Sequence, residues 1–324
     1  MKLSHSHHIL LLVVFVTSAF FGAGDQSAVA QSEAKKKKKK KPPQPERVLI
    51  ESKDGIELRA EWYAGVDGKE TPPIILVHDW DSSRTALMPL ANALQQQLGC
   101  AVIVPDLRGH GESMSMKNSE DDLKRERFRK GDMASMVEDI DTCRRFLQEK
   151  NDAGELNLNL LSVIAFGKMS INAIDWCISD WSWPPIRGVQ QGQNVKSLIM
   201  VSPIRRFKSM NMAQGLKHPL FAAKADTMPV LMFWGDGHKA SSKDGNAIFQ
   251  ALKKARKEPD KFEEPEEQWT QQSLFKLEYK TESNAEELLQ SDGRDMLRMI
   301  SMFIEKKVLA NSDEFDWQVR SLKK

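Results

Sequence analysis

The stretch LNLNLLSVIAFGKMSINAIDW, residues 156–176, decides the reading of this chain. Leu158, Leu160, Leu161, Val163, Ile164 and Phe166 form a nearly continuous apolar run, the pattern of a strand buried on both faces. Met169, Ala173 and Trp176 then recur at helical spacing. A very short turn, Ala165-Phe166-Gly167-Lys168-Met169, joins the two, and its middle residue is Gly167. A buried strand that turns this tightly into a helix is one unit of a doubly wound α/β sheet.

Outward from this unit the alternation continues. Arg47–Ser52 and Ile56–Tyr63 flank Asp54-Gly55 as a hairpin. Residues 73–78 (PIILVH), 101–105 (AVIVP), 195–201 (VKSLIMV), 229–234 (PVLMFW) and 274–279 (LFKLEY) read as further strands. Helices are expected over residues 84–98, from Asp132 to about Lys150, and over 244–257 and 293–308. The charged stretch 112–130 reads as a mobile loop or short helix, and the acidic stretch 258–268 as a loop. Strands that alternate with helices predict an α/β fold: a mostly parallel sheet of about eight strands with helices on both faces.

The 324 residues suit one large domain with appendages. Residues 1–30 read as a signal peptide. Lys2 supplies the basic start, Ile9 to Phe21 the apolar core, and Ala28-Val29-Ala30 the cleavage site, so export with cutting after Ala30 is expected. Residues 31–46 read as a disordered Lys/Pro-rich tether, 47–310 as the domain and 311–324 as a C-terminal tail. The seven lysines Lys35–Lys41 and Glu33 give residues 31–41 a charge of +6. Lys2 and Asp25 cancel, so from the total of +2 residues 42–324 carry −4. That balance argues against a nucleic-acid partner, while Lys35–Lys41 suits either a solvated spacer or a clasp for an anionic envelope surface. Cys100, Cys143 and Cys177 are too few for a disulfide scaffold and lack zinc spacing. No cofactor or metal is expected.

Two loops add specificity. Val77-His78-Asp79-Trp80-Asp81 follows the third strand, and PDLRGHGES, residues 105–113, follows the fourth. With the elbow at Gly167, they make residues 47–309 resemble the α/β-hydrolase superfamily, in its lipase, esterase and dienelactone-hydrolase-like branches. The resemblance implies an oxyanion loop at Asp79 and Trp80, with the Lys168 N–H as its partner at the elbow. It also implies a serine at the elbow, an acid after a later strand and a histidine before the last helix. Here those positions hold Gly167, His238 (in Gly235-Asp236-Gly237-His238) and Asp292 (in Ser291-Asp292-Gly293). No histidine follows His238. A serine needs its base, and the base its orienting acid, so the triple replacement points to a degenerate site.

Ser170 is the nearest hydroxyl, but it lies inside the helix. His238 with Asp236 or Asp244 is a displaced-base candidate, and a loop histidine is the plainer reading. His78 and His110 read as structural, and Asp106 and Arg108 as a pair that holds their loop. Trp80, Trp181 and Trp183 are candidate walls of a ligand pocket near the elbow, with 202–227 as a small lid. Three functions are therefore open: a degenerate pseudohydrolase that binds a small-molecule or peptide ligand, an esterase or peptidase with a non-standard constellation, and an envelope-associated interaction protein.

Overall fold

A computed structural model of the chain describes residues 41–119, 121–223, 227–256 and 265–321. The signal-peptide reading and the lysine run, up to Lys40, fall outside the described residues. The strands are β1 (Glu46–Glu51), β2 (Glu57–Tyr63), β3 (Pro73–Val77), β4 (Ala101–Pro105), β5 (Leu161–Phe166), β6 (Val195–Val201), β7 (Arg206–Phe207), β8 (Met210–Asn211), β9 (Val230–Gly235) and β10 (Leu274–Tyr279). The helices are α1 (Met88–Leu98), α2 (Lys130–Ser135), α3 (Val137–Asp152), α4 (Ser170–Ser182), α5 (Pro219–Ala222), α6 (Lys239–Arg256), α7 (Pro265–Gln271), α8 (Leu288–Ser291) and α9 (Gly293–Lys307).

Eight strands form one sheet in the order β1-β2-β4-β3-β5-β6-β9-β10. The first two pairings are antiparallel and all later ones parallel. Alternate residues of each central strand feed two cores. Leu161, Val163 and Ala165 of β5 join α2, α3, α4 and α6 on one face. Ile164 and Phe166 join α1 and α9 on the other. Every residue of β3, β4 and β5 is buried, which is why their sequences run apolar apart from Ser162 of β5, whose hydroxyl accepts from Ser197 Oγ at 2.8 Å. Each such Leu, Ile, Val or Phe contributes about 1.5–3 kcal/mol of transfer free energy.

The loop after β4 is held by ion pairs, in a pattern that corrects the expected Asp106–Arg108 pair. Asp106 instead binds the buried Arg84 guanidinium and accepts the Arg84 and Glu112 N–H groups at 2.8 and 2.9 Å. Arg108 binds Asp139 of α3, Nε to Oδ1 at 2.7 Å, and Asp54 of the hairpin turn at 2.6 Å. The expected single helix from Asp132 breaks at Met136 into α2 and α3, and Asp132 sits in the first turn of α2, accepting the Arg129 N–H at 2.8 Å.

The stretch assigned to a tail is docked along residues 311–321. The side-chain amides of Asn151, Asn157 and Asn159 donate to the carbonyls of Gln318, Phe315 and Asp316. Arg320 is 2% exposed and donates to the Gln190 and Gly192 carbonyls and to the Asn159 side chain. Lys69 lies 3.6 Å from the centre of the Trp317 ring. All three cysteines are free and buried. No helix among the described residues is long and apolar enough to cross a membrane.

Candidate functional site: a filled strand-to-helix elbow

β5 turns into α4 through one short helical turn, Gly167–Met169. Gly167 takes φ +53°, a left-handed conformation that costs a residue with a Cβ about 1–2 kcal/mol. Glycine relieves that strain. It also leaves room, and the room is taken. A Cβ placed on Gly167 would overlap the carboxyl carbon and Oδ1 of Asp79 and lie 2.8 Å from Oδ2. The Asp79 carboxylate therefore stands where a nucleophile side chain would begin.

Asp79 is 5% exposed and well partnered. Its Oδ1 accepts the Lys168 backbone N–H at 2.7 Å. Its Oδ2 lies 3.3 Å from Lys168 Nζ, which also pairs with Asp81. Partial burial opposes the Lys168 charge, but the carboxylates of Asp81 and Asp79 outweigh it and hold the ammonium above its usual range. The N–H of Asp79 itself donates to Glu286 Oε1 at 2.7 Å. Burial pushes the Glu286 carboxyl up, opposed by that same N–H. So the backbone donors of Asp79 and Lys168, two of the oxyanion-loop candidates, are each occupied by a carboxylate of the chain itself.

Glu286 is the residue that sequence reasoning missed. It lies on a helical turn, Ala285–Glu287, closed by Asn284 and Glu287 as a reciprocal cap. The buried Ala285 N–H donates to Ser202 Oγ at 3.0 Å, which ties the turn to the end of β6. Both residues hold positive φ, +46° for Ala285 and +51° for Ser202. Such strain in non-glycine residues accompanies over-determined positions at sites. The Asn284-x-x-Glu287 spacing signals the turn in the sequence, but nothing in it singles out Glu286.

The third oxyanion-loop candidate, Trp80, closes the site from above. It is buried, edge-on to His110 at 5.1 Å and near Phe128 and Phe207 at 6.0 and 5.3 Å. Lys208 Nζ lies 4.0 Å from its ring centre, and Arg125 donates to its carbonyl. Phe207 belongs to the β7–β8 hairpin, part of the stretch expected to be a lid.

His78 and His110 are bonded to backbone. His78 Nδ1 meets the Asp79 carbonyl at 2.7 Å, and its Nε2 accepts the Leu107 N–H at 3.0 Å. Burial, with lesser contributions from His110 and Arg125, pushes the His78 imidazole down to about 3, so it is neutral at pH 7. Both nitrogens of His110 face carbonyls, Arg108 and Trp80, at 2.8 Å.

The other candidates are not brought to Gly167. Ser170 is buried, and its hydroxyl turns back to the Ala165 carbonyl at 3.4 Å. His238 follows β9, two strands from β5, or roughly 10 Å across the sheet. It caps α6, with Nδ1 2.8 Å from Ser241 Oγ. Among the described residues it makes no contact with Asp292. Asp292 opens α9 and lines a surface cleft with Arg294 and Arg298. Trp181 and Trp183 are not walls of this site. They lie at the far end of the 13-residue α4, roughly 20 Å along its axis from the elbow. Trp181 Nε1 donates to Val195 at the start of β6, the sheet end opposite the elbow, and Trp183 packs 5.0 Å from the Arg144 guanidinium.

With this geometry in hand, the comparisons are consistent. A profile described as α/β hydrolase fold matches residues 72–156. No curated protein matches the chain. An esterase from Pyrococcus furiosus is similar in structure at 14% identity, with a TM-score of 0.57 over 82% of this chain and 92% of that one. A dienelactone hydrolase from Anabaena variabilis gives 13%, 0.54, 83% and 100%. An esterase from Pyrobaculum calidifontis gives 14%, 0.53, 82% and 85%. The chain has the α/β-hydrolase fold: an eight-stranded, mostly parallel mixed sheet with helices on both faces.

Proposed function

We propose that this α/β-hydrolase-fold protein does not carry out serine hydrolysis, and that it works by binding a ligand or partner. One observation carries the reading: the Asp79 carboxylate occupies both the space above Gly167 and the Lys168 N–H. Acyl transfer needs a nucleophile with a base in reach, and donors free to receive a developing oxyanion. Here the elbow offers glycine, among the described residues no histidine is hydrogen-bonded to it, and the two donors are spoken for. The esterase-like structural neighbours argue for ester chemistry, but at 13–14% identity they speak for the fold and not for the site. The test is a fluorophosphonate probe and short p-nitrophenyl esters on the purified protein. No labelling and no turnover above background are expected, and stoichiometric labelling of any serine overturns the proposal.

We also propose that the chain is exported and cut after Ala30, on the strength of the apolar run Ile9 to Phe21 and the Ala28-Val29-Ala30 site. N-terminal sequencing of exported material should begin at Gln31. In this reading Lys35–Lys41 tethers the domain to an anionic envelope surface.

A further inference from the structure

A second concavity lies on the other side of the β7–β8 hairpin. Successive strand residues point to opposite faces, so the hairpin has two sides. Phe207 packs on Trp80 over the elbow, whereas its neighbour Arg206 lines a separate cavity of about 800 Å³. That volume is ample for a small organic ligand. The cavity lies between the hairpin, the turn Gly215–Lys217 and α6.

Its floor is apolar. Leu216 supplies the one large side chain, and Ala247, Ala251 and Ala255 supply an open face of α6. The opposite face of α6, Ile248, Phe249 and Leu252, is the one that packs into the core. The rim is basic. Arg206, Lys217 and Lys254 line it, all exposed, and among the described residues none of their side chains has a hydrogen-bond or ion-pair partner. Among the described residues the one carboxylate in the lining, Asp244, is engaged by Arg205 through both its backbone N–H, at 3.0 Å, and Nε, at 2.9 Å. Three unneutralised cations thus surround an apolar floor.

We propose that this cavity binds an amphiphilic anion, a molecule with an apolar body and one carboxylate, free in solution as a monomer. The apolar body lies on Leu216 and the alanines, and the carboxylate meets Arg206, Lys217 and Lys254. Cations bordering an apolar surface select for charge sign as much as for affinity. The site is distinct from the elbow, so the inference stands whether or not the elbow turns over esters.

The test uses decanoate, decanol and decyltrimethylammonium below their micelle concentrations, titrated against the full chain by displacement of a dansylated undecanoate. Decanoate is expected to displace the probe, and the neutral and cationic analogues to do so at least roughly tenfold less well. The double variant Lys217→Glu/Lys254→Glu should weaken decanoate roughly tenfold or more, and added salt should do the same in the wild type. Ala251→Trp should fill the floor and abolish displacement. All three positions are exposed. Circular dichroism identifies any variant that fails to fold, and the wild-type analogue series stands without the variants. Equal displacement by decanol or decyltrimethylammonium, or no displacement by decanoate, overturns the proposal. Wild-type behaviour of a folded charge-reversed variant does the same. Binding only to phosphatidylglycerol vesicles, with none to monomeric decanoate, overturns it in favour of a membrane-facing surface.

Discussion

Restoring a serine at the elbow tests the filled site directly, through a double-mutant cycle of Gly167→Ser and Asp79→Ala. Gly167→Ser meets two costs. Its backbone stays at φ +53°, which costs a non-glycine residue about 1–2 kcal/mol. Its Cβ also displaces the Asp79 carboxylate and breaks the 2.7 Å bond to the Lys168 N–H. A buried hydrogen bond to a charged group contributes about 1.5–3 kcal/mol, so the single variant should lose about 2.5–5 kcal/mol. Asp79→Ala loses the same bond without the backbone strain, about 1.5–3 kcal/mol. In the double variant the bond is lost only once. The double should therefore be more stable than the sum of the singles implies, by about 1.5–3 kcal/mol. Urea unfolding of the four proteins measures this. Additivity within about 0.5 kcal/mol would refute the shared-space argument, since independent sites add to that precision. Fast ester turnover by Gly167→Ser alone would refute the larger reading, because it would reveal a base at the elbow.

Two further outcomes follow from buried groups. The folded protein holds the His78 imidazole at about 3 against an unfolded value of 6.5. It therefore binds fewer protons than the unfolded chain, and this contribution is complete above about pH 6.5 and lost as pH falls towards 3. Urea midpoints should fall over that window, and a His78 ring that titrates by NMR near pH 6.5 would contradict the assignment. Arg320→Ala should cost about 2–4 kcal/mol, because it leaves the Gln190 and Gly192 carbonyls and Asn159 unpartnered in a buried site. A thermal midpoint unchanged from wild type would show that residues 311–321 are not a structural strap.

The sheet was legible because its strands are buried on both faces. β3, β4 and β9 carry no polar break and β5 only Ser162, so their apolar runs stand out without any periodicity. The tight turn at Gly167 is legible for a related reason, as a lone glycine between a buried strand and an amphipathic helix. What failed was whatever depends on distance along the chain. Trp181 and Trp183 were placed by their nearness in sequence to the elbow, yet a helix carries its C-terminus away from its start. Glu286 has no signal of its own: Asp292-Gly293 marks a helix start, but a local pattern does not show which residue of the preceding loop reaches the Asp79 N–H. The docked strap at 311–321 has no apolar periodicity to betray it. It is held by amide and guanidinium bonds to Asn151, Asn157, Asn159 and Gln190, residues more than 120 positions away in the chain.

Gly167 and Asp79 are best understood as one feature. The loop after β3 carries a carboxylate at Asp79, and the elbow carries no side chain at Gly167. Side chains at both places exclude each other, because a Cβ on Gly167 and the Asp79 carboxyl carbon claim the same volume. Serine at the elbow without a change at Asp79 is a steric conflict. Alanine at Asp79 without a change at the elbow strips the Lys168 N–H of its acceptor and leaves Lys168 with Asp81 alone among its carboxylate partners. Glu286 extends the same logic by occupying the N–H of Asp79. An oxyanion hole is a set of donors held ready for a charge that arrives only in the transition state. Here the charge is already present in the ground state and built into the chain. On the proposed non-catalytic reading, a site arranged in this way gains stability from its donors and gives up the differential binding on which catalysis depends.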